Sequence, residues 1–449
     1  MKSNLCKVLH KLAGFPMIWH VIRAIRPLDM DKIVVVLGRQ AEDVKTALAT
    51  QDLAYALQEP QLGTGHAAAA AKSHFERYDG EVLVLCGDIP LIQPSAINDF
   101  IEFHSAKQSR LTVMTTRPPR PQGYGRIVRG GSGQVLNITE EKDACDAERE
   151  ITEVNTGIYL VESALLFSLL EGVGCTNAQG EYYLTDIVGE AVRRGIQVEG
   201  FLLNDWRQAA GINTRADLAL VNAMLWNGVR EDLMASGVTL LDPDAVYVDL
   251  GVEVGSDTII YPSVTLEGRT RIGRGCLIEP GVFITDSVIG DRAKILMGSR
   301  LQSAVVGDGT TVGPMAHLRP DAVIGANARV GNFVEVKKST VGDGSKAAHL
   351  TYLGDCRIGR DVNIGCGTIT CNYDGKQKHP TIIGDRCFVG SDVQFIAPVE
   401  IGAGSVIGAG STVTRSVPPR SLAVSRAKQK IYPLRRGQGP ESADEDREA

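Results

Sequence analysis

From Val254 onward an aliphatic residue returns at every sixth position: Val254, Ile260, Leu266, Ile272, Ile278 and Ile284 hold this register without a gap. The register slips by one residue to Ile289, resumes through Ile295 and Leu301, and continues at Val306, Val312, Leu318, Ile324, Val330 and Val336. Further one-residue slips fall at Val341 and Ile358, and after an interruption the series returns as Ile383, Val389, Phe395, Ile401, Ile407 and Val413. Glycine follows the aliphatic residue repeatedly, as at Gly255, Gly273, Gly290, Gly307, Gly325, Gly342, Gly384 and Gly402. Neither the helical nor the strand period accounts for this, but a β-solenoid of hexapeptides does. Three hexapeptides make one triangular coil, whose aliphatic side chains fill the interior while small residues let the backbone turn the corners. An ordinary β-sandwich would space its strands irregularly, at about 8–12 residues. The longest break, residues 370–381 (TCNYDGKQKHPT), is polar and turn-forming, which predicts an exposed loop of the kind on which solenoid enzymes place their chemistry.

The N-terminal half follows another pattern. Residues 32–38 (KIVVVLG), 81–88 (EVLVLCGD) and 111–115 are short apolar strands, and helix-like sequence lies between them, as around residues 67–75. The alternation predicts an α/β Rossmann-like domain with a mainly parallel, doubly wound sheet. Leu218, Val221, Leu225, Val229 and Leu233 then recur at helical spacing before Gly237, which predicts a connecting helix. The expected division is a first domain over 1–215, a helix over 216–237, the solenoid over 238–434, and a polar, disordered tail over 435–449.

Composition narrows the function classes. The 449 residues suffice for two or three domains, and a net charge of −6 argues against nucleic acid as the main partner. No apolar run reaches the roughly 18 residues of a membrane span, and the opening MKSNLCKVLH has no apolar signal-like stretch. Nine cysteines are scattered without a CxxC pair, several in strand-like runs (Cys86, Cys276, Cys387); this fits the reduced thiols of a cytoplasmic enzyme better than zinc.

Three features could carry chemistry. Residues 58–66 (QEPQLGTGH) form a Gly-rich turn before Ala-rich helix sequence, where free backbone N–H groups could hold a base or phosphate; an ordinary tight turn fits equally well. Asp88, in CGDIPL at the end of an apolar strand, is placed to hold Mg²⁺ near a nucleotide, or simply to cap a turn. His349 is the best candidate base, because imidazole ordinarily titrates near ~6.5. A lone histidine in a solenoid is usually a solvated corner residue, but the HLTYLGD and CNYDG stretches favour catalysis.

In order along the chain stand Lys7 in KVLH, the QLGTG turn, GDIPL, Tyr124-Gly-Arg-Ile127, Glu140 in EEKDA, Asn155 in VNTGIY and Asn213 in GINTRADL. Together they resemble the sugar-nucleotide pyrophosphorylases, and most closely the bifunctional N-acetylglucosamine-1-phosphate uridylyltransferases/glucosamine-1-phosphate N-acetyltransferases. The resemblance runs over nearly the whole chain. It continues through Arg319 in HLRPDA, Lys337 in NFVEVKKS, His349 and Tyr352 in KAAHLTYLGD, and Asn363 in DVNIG. Asn372 and Tyr373 in the loop, Ser391 in VGSD, Ala409 in IGAG and Arg426 in VSRA complete it, with Cys366 in place of the more usual alanine.

The resemblance implies a left-handed parallel β-helix and two activities that yield UDP-N-acetylglucosamine for peptidoglycan and lipopolysaccharide synthesis. Lys7, Gln58, Gly63 and Thr64 would contact UTP, Gly125, Glu140 and Asn155 would line the sugar, and Asp88 with Asn213 would hold Mg²⁺. The sugar-1-phosphate would attack the α-phosphorus and release pyrophosphate. In the solenoid, His349 would take a proton from the 2-amino group of glucosamine-1-phosphate as it attacks the acetyl-CoA thioester. Arg319 and Lys337 would hold the phosphate; Tyr352, Asn363 and Tyr373 would orient the sugar; Cys366, Asn372, Tyr373, Ser391, Ala409 and Arg426 would line the acetyl-CoA groove. A homotrimer with sites between neighbouring solenoids is also implied.

Two departures from the family pattern stand out. The chain opens with residues that resemble those just after the family's LAAGxGTxM loop, so that phosphate-wrapping loop is expected to be missing. Cys86 also replaces a larger residue, often tyrosine. An acetyltransferase with an inactive first domain is therefore an alternative reading. A purely structural or regulatory solenoid is another, although it would have no reason to keep His349, the NYDG loop and Arg319 together.

Overall fold

The structure is a computed structural model in which residues 1–433 are described; the tail expected over 435–449 lies outside them. The chain divides into two compact units, Met1–Gly228 and Val229–Ala449. A helix over Arg215–Ala235 runs through the division.

In the first unit a six-stranded sheet is mixed rather than mainly parallel. Glu199–Leu203 pairs in parallel with Leu111–Thr116, but Val154–Glu162 runs antiparallel to both Leu111–Thr116 and Glu81–Val84. The physical reason lies in what precedes the reversed strand. A parallel neighbour needs a crossover of a dozen or more residues. Val154–Glu162 instead follows the antiparallel hairpin of Arg126–Arg129 and Val135–Thr139, and joins it at Val154. The parallel pair Val34–Leu37 and Ala54–Leu57 forms a separate two-stranded sheet.

Strand Val154–Glu162 is buried on both faces, so it shows no polar alternation. Ile158 and Leu160 pack with Phe100, Ile97 and Met114 on one side, while Tyr159 and Val161 pack with Leu165, Leu169 and Ile187 on the other. Helix Pro94–Ala106 covers the first side, and helices Ser163–Leu170 and Asp186–Arg193 the second. The apolar run read as a strand over 81–88 pairs only as far as Val84, which leaves Asp88 on the turn beyond it.

The second unit is a parallel β-helix with three sheets of 11, 10 and 9 strands. Each strand pairs with the strand one coil on, as in Ile260↔Ile278, Leu266↔Ile284 and Ile272↔Ile289. The slips in the sequence register are coils one residue shorter, which still align, as in Ile278↔Ile295. Leu266, Ile284, Leu301 and Leu318 are fully buried in one continuous core. Small polar residues share that interior, with their hydroxyls paired at Thr258 and Thr310. Thr258 donates to the Gly273 carbonyl at 2.9 Å and accepts from the Cys276 N–H at 3.1 Å, and Thr310 repeats the arrangement with Gly325 and Ala328. Truncating one interior side chain far from the candidate site, Ile284→Ala, is expected to cost about 2–5 kcal/mol through lost burial and a residual cavity. A lower urea midpoint at unchanged slope is the readout.

Candidate functional site

Strand register collects many of the solenoid candidates along one edge. The pairs Ala347↔Ile364, Ile364↔Val389 and Val389↔Ile407 place residues two positions further on level with one another: His349, Cys366, Ser391 and Ala409. The corner backbone continues the alignment, because Asp392 N–H donates to the Cys366 carbonyl and Gly410 N–H to the Ser391 carbonyl. Arg426 ends the row by donating from Nη1 to the Ala409 carbonyl at 2.8 Å. At about 4.8 Å per coil, the row from His349 to Ala409 spans roughly 14 Å. An extended arm laid along this edge would meet backbone amides, small side chains and finally a guanidinium.

His349 is exposed at the start of the row, with its ring Nδ1 2.6 Å from Oδ1 of Asn332. Around the corner, on the ten-stranded sheet, Glu335 is level with Tyr352. Lys337 is level with Gly354, a position that has no side chain, and the Tyr352 ring and hydroxyl occupy that space. Arg319 donates from Nη1 to Glu335 at 2.8 Å. Asn363 lies on the eleven-stranded sheet, level with Lys346.

The loop after Ile369–Cys371 is ordered by its own hydrogen bonds. Asp374 accepts from the N–H groups of Lys376 and Gln377 at 2.7 Å each and from His379 Nε2 at 2.7 Å, and these donors hold its carboxyl well below the usual range. Tyr373 bridges to Lys378 across the loop and leaves its ring exposed. Asn372 is buried at the loop's root, where its amide donates to Asp355.

The fold brings Lys378 beside Lys337. The neighbouring amine pushes the Lys337 ammonium below its ordinary range, and Arg319 adds to the effect. Lys337 and Lys378 thus repel each other with Arg319, itself paired with Glu335, nearby, and an anion between the two lysines would relieve that repulsion. Lys378 and Glu335 are absent from the sequence-level candidates. Glu335 could have been found from strand alternation, being two residues before Lys337 on the same face. Lys378 could not, because nothing in the loop's composition separates it from Lys376.

In the first unit Lys7, Asp88 and Asn213 meet. The Lys7 ammonium lies 2.6 Å from Oδ2 of Asp88 and 2.6 Å from Oδ1 of Asn213. Two hard oxygens therefore already converge on one positive charge. This donor set fits Mg²⁺, which takes few protein ligands and fills its shell with water and phosphate oxygens. Gly125, Glu140 and Asn155 also come together: a side chain at Gly125 would stand within 3.6 Å of Glu140 and 3.7 Å of Asn155. Burial pushes the Glu140 carboxyl upward, against a hydrogen bond from Thr185 at 3.0 Å. Gln58 donates to the Gly63 carbonyl at 2.9 Å, and the Thr64 hydroxyl accepts from the Leu184 N–H at 3.0 Å, so these side chains brace the Gly-rich turn. Burial pushes the Cys86 thiol up to about 12, which keeps it protonated and unreactive.

A mixed α/β unit with a lysine–aspartate–asparagine cluster, followed by a hexapeptide solenoid that carries an exposed histidine and a cationic patch, defines a two-domain transferase. The nucleotidyl transferase family model matches residues 3–230, and the bacterial transferase hexapeptide (six repeats) model matches residues 303–338 and 380–415. Proteins named bifunctional protein GlmU from Pelobacter propionicus and Geotalea uraniireducens are each 50% identical over 430 residues, covering 96% of this chain and 94% of theirs. The protein of that name from Shouchella clausii is 44% identical over 429 residues, at the same coverage. The chain belongs to the GlmU family of bifunctional proteins, and its solenoid is accordingly a left-handed parallel β-helix.

Proposed function

We propose that the chain acetylates glucosamine-1-phosphate with acetyl-CoA and then transfers a uridylyl group from UTP to the product, giving UDP-N-acetylglucosamine and pyrophosphate. The single observation that carries this reading is near-full-length family membership at about half identity, with both clusters present.

For acetyl transfer, Arg319, Lys337 and Lys378 receive the sugar's phosphate and Tyr352 and Asn363 orient its ring. His349 takes the proton from the 2-amino group as the nitrogen attacks the thioester carbonyl and CoA leaves as the thiol. The edge from Cys366 through Ser391 and Ala409 to Arg426 supports the CoA arm, with Asn372 and Tyr373 at its loop side. Lys378→Ala is expected to raise the KM for glucosamine-1-phosphate about tenfold, as one charge-assisted hydrogen bond is lost. It also moves the alkaline limb of that KM upward in pH, because Lys337 without its repulsive neighbour keeps its charge longer. A KM profile unchanged from the parent chain would remove Lys378 from the site.

For uridylyl transfer, Gln58, Gly63 and Thr64 shape the nucleotide turn, and Gly125, Glu140 and Asn155 line the sugar. Asp88 and Asn213 would hold Mg²⁺, which when bound supplies positive charge to the phosphates. Lys7 adds a second positive charge, and such transfer needs charge neutralisation and in-line positioning more than a covalent partner.

The assembly we propose is a homotrimer in the cytoplasm, with domain limits at 1–215, 216–237 and 238–434. Among the described residues no helix is long and apolar enough to cross a membrane. Met315, Phe333 and Leu350 support the trimer: they occupy corners of successive coils beside His349 and are 47%, 59% and 58% exposed. Such a stacked apolar ridge is costly to leave in water. Met315→Lys is expected to lower the mass seen by light scattering from three chains toward one.

A further inference from the structure

We propose that Asn332 is the positioning residue for His349, fixing which ring nitrogen is free to take the substrate's proton. The inference rests on the reading of His349 as the base and adds the group that orients it. Asn332 and His349 end the only two four-residue strands among the described residues of the solenoid, Arg329–Asn332 and Lys346–His349. The strands pair in parallel with Asn332 level with His349, and each residue precedes a corner in the left-handed region, at Phe333 (φ 55) and Leu350 (φ 45). The Leu350 N–H donates to the Asn332 carbonyl at 3.0 Å, and the Thr351 hydroxyl donates to the His349 carbonyl at 2.7 Å, so both backbones are tied.

Between them, Gly331 is what lets the coils approach: a β-carbon there would collide with the Ala348 carbonyl oxygen. The result is a 2.6 Å contact from Asn332 Oδ1 to His349 Nδ1. An amide oxygen only accepts, so Nδ1 carries the proton and donates. Nε2 then holds the lone pair, and the ring cannot rotate without losing the bond. The neighbouring coil thereby performs the orienting role that a third residue plays in hydrolase triads, using a neutral amide.

The test compares the full-length chain with Asn332→Ala, Asn332→Asp, His349→Ala and the Asn332→Ala/His349→Ala double variant, following CoA release against pH, with thermal unfolding as a check on folding. Asn332→Ala is expected to lower kcat about 10- to 100-fold, a part of what a positioned base contributes, with KM for both substrates unchanged. The double variant is expected to be no slower than His349→Ala alone. Asn332→Asp preserves shape and acceptor; it should recover most of kcat and move the acid limb upward, since a carboxylate beside the ring favours the imidazolium. A merely structural role would not move that limb. Normal kcat in Asn332→Ala, or an unmoved acid limb in Asn332→Asp, beside an inactive His349→Ala chain overturns the proposal and leaves the site standing. Full activity in His349→Ala overturns the base assignment itself.

Discussion

Replacing His349 by alanine is expected to lower the rate of CoA release by about 10²- to 10⁴-fold, the usual contribution of a positioned general base. The loss is expected on kcat, because the groups proposed to hold the phosphate keep their places: Lys337 on the ten-stranded sheet, Arg319 just beyond its strand His317–Leu318, and Lys378 in the loop. Pyrophosphate release from UTP and supplied N-acetylglucosamine-1-phosphate should stay within twofold of the parent chain, since the residues proposed for that reaction all lie within Met1–Gly228. The measurement is a thiol-trapping assay for CoA beside a phosphate-coupled assay for pyrophosphate on the same preparation. Unchanged CoA release in a folded variant would mean that the exposed imidazole is a solvated corner residue after all.

The converse substitution, Asp88→Ala, is expected to lower pyrophosphate release by at least about 10²-fold, the scale on which single electrostatic groups act in such reactions. Asp88 and Asn213 present their oxygens to one point, held now by the Lys7 ammonium at 2.6 Å from each. Without the carboxylate, a lone amide oxygen remains to hold a divalent cation, and a higher Mg²⁺ concentration should recover part of the rate. Acetylation should be unaffected. The pair of variants is thus a double dissociation: each slows the formation of one product and spares the other. If Asp88→Ala leaves pyrophosphate release intact at all Mg²⁺ concentrations, the cation site lies elsewhere.

The solenoid is legible in the sequence because aliphatic residues recur in its core every six positions, or five where a coil is shorter, and most meet another aliphatic residue one coil away, as Ile260 meets Ile278. The corners are less legible. Asp257, Ser263 and Asp286 are small polar residues suited to positive φ, but Phe333 and Leu350 adopt it too, against their own preference. Local propensity therefore gives way there to coil stacking. The same stacking explains why Asn332 escapes a reading along the chain: its contact with His349 is made by residues 17 apart.

In the first unit, apolar runs reveal strands but not their direction. A strand buried on both faces reads alike whether parallel or antiparallel, and only the hairpin before Val154 decides it. Asp88, Lys7 and Asn213 were each visible as candidates, but their convergence depends on turns far apart in sequence, which no local pattern encodes.

The most direct test of the central claim incubates the full-length chain with glucosamine-1-phosphate, acetyl-CoA, UTP and Mg²⁺ and resolves the nucleotide products by chromatography. The account predicts UDP-N-acetylglucosamine with an equal amount of pyrophosphate and at least as much CoA, and no nucleotide product when acetyl-CoA is withheld. CoA release with no UDP-sugar would contradict the second activity, and pyrophosphate with no CoA the first.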